Sequence, residues 1–121
     1  MPIARPLAVV LDCADPVRMA SFWAHVAGGE TEPATAGNDW VSLRNVPGVG
    51  YLSFQRVPES KTSKNRVHLD LEVDDIVAST EEALNVGATL LGGVVDETTN
   101  LLQVMADIEG NEFCFVQRTP K

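Results

Sequence analysis

The feature that most constrains this chain is an internal repeat. Displaced against itself by sixty residues, the sequence lays Ala8–Asp15 (AVVLDCAD) over His68–Asp75 (HLDLEVDD). Val9, Leu11 and Cys13 then fall on Leu69, Leu71 and Val73, and Asp15 falls on Asp75. Each copy starts with the period-two alternation of a strand with unlike faces and runs into a helix-like stretch. Asp15 and Asp75 stand where an N-cap is wanted, and Pro16 suits a first helical turn because it has no amide hydrogen to lose there. The first helix carries Val17, Ala20, Phe22, Trp23 and Val26 as an apolar stripe, and the second carries Ile76, Val77, Thr80, Ala83, Leu84 and Val86. Val26-Ala-Gly28 and Val86-Gly-Ala88 mark equivalent helix ends.

Strand candidates follow each helix: Trp40–Arg44 and Tyr51–Val57 in the first half, then Thr89–Leu91, Leu101–Ala106 and Glu112–Gln117 in the second. Asn45–Gly50 and Asp107–Asn111 read as hairpin connections. The expected architecture is α+β: one domain over residues 1–121, made of two βαβββ repeats (about 5–57 and about 66–118) joined by a polar linker, 58–65. A strand that packs a helix needs its apolar residues on that side, so His68, Asp70 and Glu72 point the other way, as do Ala8, Val10 and Asp12. The expectation is a curved, partly open mixed sheet with helices on its outer face and a cleft on the face without helices.

Composition bounds the partners. With 45% apolar and 21% charged residues in 121, the chain is globular in type. Its longest apolar run falls far short of the roughly 20 residues of a membrane span. The first residues lack the pattern of a secretory signal, which makes the cytoplasm the expected location. Cys13 and Cys114 are the two cysteines and are expected to be reduced and buried. A formal charge of −8 disfavours nucleic acid and anionic lipid as partners.

Four stretches together resemble the glyoxalase/bleomycin-resistance/dioxygenase (vicinal oxygen chelate) superfamily, and its small glyoxalase-like members in particular. They are Leu11–Pro16 with Phe22-Trp23, Leu52–Pro58, Lys64–Leu71 leading to Val73–Asp75, and Asp107–Cys114. The resemblance spans Leu7 to Gln117 and implies a homodimer. It also implies metal ligands on the first and last strands of each repeat. These positions fall on Ala8 and His68, and on Ser53 (with Gln55 as neighbour) and Cys114. Alanine offers no donor atom, so the inherited metal site is expected to be missing and no cofactor is expected. His68, Cys114 and Asp70 remain an alternative ligand set for Zn, Ni, Mn or Fe.

Single residues carry the rest. His68 and Asp70, two apart on one strand face, suit a proton-transfer pair in which the carboxylate orients the imidazole. Asp12 shares that face in the first repeat and can anchor a cation or serve the turn beside Asp15. Trp40 follows the polar loop Thr35–Asp39 and can stack on a planar ligand, whereas Trp23 lies on the apolar helix stripe and reads as core. Glu112 lies two residues before Cys114. Lys61, Lys64 and Arg66 reverse the local charge and read as a solvated linker, a clamp or an anion contact. The leading functional expectation is a small-molecule binder of resistance type, with aromatic rings among its ligands and a cleft lined by Asp12, Trp40, Gln55, His68, Asp70, Glu112 and Cys114. The rival is an isomerase, lyase or dioxygenase-type enzyme with His68 and Asp70 as catalytic groups. A third reading is a regulatory or partner-binding module whose own side chains close the cleft.

Overall fold

The computed structural model describes residues 2–33 and 37–119. Two compact units divide at the linker, Met1–Ser60 and Lys61–Lys121. The first contains β1 (Ala8–Cys13), α1 (Pro16–Ala27), β2 (Glu30–Thr31), β3 (Trp40–Val46) and β4 (Gly50–Arg56). The second contains β5 (Asp70–Glu72), α2 (Ile76–Asn85), β6 (Thr89–Leu90), β7 (Val95–Asp96), β8 (Asn100–Ala106) and β9 (Glu112–Arg118). The fold is α+β with a mixed sheet in each unit, in strand order β1-β4-β3-β2 and β5-β9-β8-β6, with β7 also pairing β8. In both sheets the first strand runs parallel to the last, and the hairpin strands are antiparallel.

The helix starts repeat as the sequence requires. Arg18 N donates to Asp15 Oδ1 at 3.1 Å, and Val77 N and Ala78 N donate to Asp75 Oδ1 at 3.1 Å each. The helix ends repeat too. Gly29 (φ +93°) follows α1 so closely against the β3–β4 hairpin that an added Cβ would stand 2.7 Å from Val46 Cγ2. Gly87 (φ +112°) follows α2 just as closely, 2.8 Å from Ile108 Cγ2 in the β8–β9 turn. Both positions need glycine for its backbone angle and for its missing side chain.

Burial departs from the expected stripes in one informative way. Helix α1 buries Pro16, Met19, Ala20, Phe22 and Trp23 against Val41, Leu43, Leu52 and Phe54, while Val17 is 48% exposed. Helix α2 buries only Ile76 and Ala83, and Val77 and Leu84 are exposed. Met105, Phe113 and Phe115 form the larger part of the second core. The strand expected from His68 begins at Asp70, although Cys114 N still donates to Leu69 O at 3.0 Å. Strands β2 and β7 have two residues each, too short to show an alternation. Among the described residues no helix is long and apolar enough to cross a membrane.

Candidate functional site

In the first unit the alternation that turns Leu52 and Phe54 towards α1 turns Tyr51, Ser53 and Gln55 to the other face. Register then sets Asp12 beside Gln55 and Gln55 beside Trp40, so three of the expected ligand-binding residues form one row across β1, β4 and β3. The next row is Val10, Ser53 and Ser42. Trp40 Nε1 donates to Ser42 Oγ at 2.9 Å, and Ser42 Oγ lies 2.8 Å from Ser53 Oγ. The indole N–H is thereby satisfied within the sheet while Trp40 remains 48% exposed. Its ring is an apolar platform held in place from one end. Trp23, by contrast, is buried in the core.

In the second unit, register sets Asp70 beside Cys114 and Cys114 beside Val104. His68 Nε2 lies 3.1 Å from Asp70 Oδ1, with both side chains half exposed. The donor atoms of His68, Asp70 and Cys114 all lie within 4.8 Å of one another. Burial pushes the Cys114 thiol above its ordinary range, and the Asp70 carboxylate, by charge and by hydrogen bond, pushes it further. Cys114 is a free thiol, as is the buried Cys13.

Glu112 is engaged elsewhere. Lys61 Nζ lies 2.9 Å from its Oε2, Asn65 N donates to its Oε1 at 3.0 Å, and Lys61 Nζ also donates to Ser63 O at 2.6 Å. The Lys61 hydrogen bond holds the Glu112 carboxyl below the usual carboxylate range, with burial opposing. Lys61 thus clamps the linker onto the first residue of β9. Glu72 takes a two-pronged contact from Arg118, with Nη2 at 3.0 Å from Oε1. Of the Thr35–Asp39 loop before Trp40, Thr35 and Ala36 lie outside the described residues.

A cavity of about 560 Å³ beside α1 is lined in part by Val17, Ala20, Ser21, Ala24, Glu32 and Val41. Its only trace in the sequence is the spacing of Val17, Ser21 and Ala24, which places small or short side chains on one helix face.

A family model described as "Glyoxalase-like domain" matches residues 8–116. The chain belongs to the glyoxalase-like domain family. Through it, the chain is a member of the vicinal oxygen chelate superfamily. No curated protein matches. Among solved structures, this glyoxalase-like chain is similar to a glyoxalase/bleomycin resistance protein/dioxygenase family enzyme from Burkholderia phytofirmans PsJN. The identity is 21%, the TM-score 0.77, and the match covers 93% of this chain and 97% of that one. TioX from Micromonospora sp. ML1 matches at 19% identity and TM-score 0.67, over 96% of this chain and 100% of that one. The fosfomycin resistance protein FosX from Mesorhizobium loti matches at 13% identity and TM-score 0.72, over 98% and 95%. At these identities the likeness is one of fold.

The donor set can be tested against the superfamily's metal. In this glyoxalase-like chain Ala8 has no donor atom, and the Ser53 hydroxyl is buried and bonded to Ser42. The first unit therefore offers no donor at Ala8 and, next to the bonded Ser53, only Gln55, which is exposed. The second offers His68 and Cys114, with Asp70 as a third donor.

Proposed function

We propose that this protein binds a small planar molecule on the helix-free sheet face of its first unit and sequesters it in the manner of a resistance protein, without the superfamily's usual metal site. The observation that carries the reading is the row Asp12, Gln55, Trp40. A half-exposed indole, its N–H already bonded, stands beside an amide and a carboxylate on neighbouring strands. Stacking on the ring and polar contact to the other two bind and orient a ligand without any bond being made or broken. The structural likeness to the fosfomycin resistance protein FosX favours this class of function. The same reading takes the working form to be a cytoplasmic homodimer, which light scattering on the eluting protein tests directly.

Tryptophan fluorescence tests the binding. Trp23 is buried, so quenching by planar aromatic compounds reports on Trp40. Saturable quenching that is lost in Trp40→Leu and weakened in Asp12→Asn is the expected result. Quenching that persists unchanged in Trp40→Leu defeats the reading.

A second reading rests on the convergence of His68, Asp70 and Cys114. Here His68, oriented by Asp70, moves a proton in an isomerase, lyase or dioxygenase-type reaction. His68, Asp70 and Cys114 would hold a divalent ion such as zinc, which when bound supplies Lewis acidity to a substrate oxygen. Elemental analysis separates the readings. Stoichiometric Zn, Ni, Mn or Fe that disappears together with an activity in His68→Ala establishes the second and defeats the metal-free first.

A further inference from the structure

The first unit carries a cavity beside α1 that meets the sheet-face row at Trp40. It is lined by Val17, Ala20, Ser21 and Ala24 of α1 and by Trp40, Val41 and Ser42 of β3. Its volume, about 560 Å³, falls within the range of about 300–1,000 Å³ typical of small-molecule sites. The reason for the opening lies in the side chains of α1. Met19, Phe22 and Trp23 fill the core on one flank, while alanines and a serine on the other leave the space unfilled. Val17, an apolar residue at the cavity wall, is 48% exposed in consequence.

The chemistry of the wall selects the ligand. Glu32 is the one ionisable residue among the described residues that line the cavity. It is partly buried, and among the described residues it has no ion-pair partner. Thr31, Ser21 and Asn38 add hydroxyl and amide groups at the same wall. An anionic ligand meets the Glu32 carboxylate and a chain charge of −8. A neutral apolar ligand strips water from that carboxylate and returns nothing. A cation with an apolar body satisfies both halves of the lining, since its N–H groups find oxygen acceptors and its carbon skeleton covers Val17, Ala20, Ala24 and Val41.

We propose that this cavity, which shares Trp40 with the sheet-face row but takes its charge selectivity from Glu32, is a second binding site for a small organic ammonium ion with an apolar or aromatic body.

The test uses the full chain and three probes of one shape: 2-phenylethylammonium, 2-phenylethanol and 3-phenylpropionate, titrated by calorimetry. The ammonium ion is expected to bind one to one, at least about tenfold more tightly than the alcohol, as an ion pair at a partly desolvated carboxylate requires. The carboxylate probe is expected to show no binding. Glu32→Gln should remove the preference for the cation, and Ala24→Leu, which fills the cavity, should weaken all binding. Glu82→Gln, the same charge change on the exposed surface of α2, should leave the titration unaltered. Glu32→Gln lies at the unit's surface, so the test survives even if Ala24→Leu fails to fold. Equal affinity for ammonium and alcohol, or ammonium binding that Glu32→Gln leaves intact, overturns the proposal. Ammonium binding that is lost in Asp12→Asn but kept in Glu32→Gln also overturns it and moves the cation to the sheet face. Planar-compound quenching that Asp12→Asn leaves unchanged, with ammonium binding that Glu32→Gln abolishes, sinks the sheet-face reading alone.

Discussion

Glu112 and Lys61 stand fifty-one residues apart in sequence and 2.9 Å apart in space, and the pair fastens the linker to the first residue of β9. The carboxyl's affinity for protons is lowered in the folded state, first by Lys61 and then by the Asn65 amide, against burial. A depressed carboxyl stabilises the fold above its unfolded value and ceases to do so as the pH falls through the lower folded one. Glu112→Gln is therefore expected to cost about 1 kcal/mol at pH 7, the upper end for an ion pair near the surface. The difference from the parent protein should shrink below pH 4.5, the ordinary value for this group. Urea denaturation at several pH values checks it, and a pH-independent difference would speak against the pair.

The thiol of Cys114 faces Asp70 across β5 and β9, and burial and that carboxylate both disfavour its ionised form. Alkylation of Cys114 by iodoacetamide should therefore be slow at pH 7.5 and rise only at higher pH than for a free cysteine. Asp70→Asn removes the neighbouring negative charge and should accelerate the reaction a few-fold. Mass spectrometry of the modified peptide distinguishes it from the buried Cys13. An unchanged rate in Asp70→Asn would show that burial alone controls the thiol.

Gly29 and Gly48 both have positive φ, but only Gly29 is crowded, by Val46 Cγ2 and by Arg44 O at 2.9 Å. Gly29→Ala should cost about 2–4 kcal/mol, combining backbone strain with overpacking. Gly48→Ala, with open space around it, should cost about 1 kcal/mol from strain alone. Thermal melts of the two variants decide whether close approach, rather than φ, sets the larger penalty.

Asp107 is 2% exposed and organises the β8–β9 turn. Its Oδ1 accepts from Glu109 N at 2.9 Å and Asn111 N at 3.0 Å, and its Oδ2 from Asn111 Nδ2 at 2.9 Å. Asp107→Ala strands those amides and should cost about 3 kcal/mol. Asp107→Asn keeps the Oδ1 acceptor and should cost less, about 1–2 kcal/mol. Equal losses in the two variants would mean that the charge and the Oδ2 acceptor, not the Oδ1 acceptor, hold the turn.

Much of this architecture can be read along the chain because its causes are local. Asp15 and Asp75 cap helices in the structure as their place before each helical pattern requires. His68 and Asp70, two positions apart, meet as expected, although the strand starts only at Asp70 and His68 lies just ahead of it. What escaped depends on register or on partners distant in sequence. The Ser42–Ser53 contact needs the β3–β4 alignment, and nothing near Glu112 announces that Lys61 will engage it. Val17 is apolar and spaced for the core stripe. Its exposure follows from the short side chains around it, which only the packed helix reveals.

The parallel pairing of first and last strands has a consequence for how the chain acquires its structure. Ala8 has no sheet neighbour until Tyr51 exists, and Asp70 has none until Cys114 does. During synthesis on a ribosome, each opening strand must therefore wait for the final strand of its own repeat. The first repeat can close its sheet while the second is still being made. The second can do so only when Glu112–Arg118 have emerged, and until then β5 offers a bare edge of three residues, too short to recruit a wrong partner.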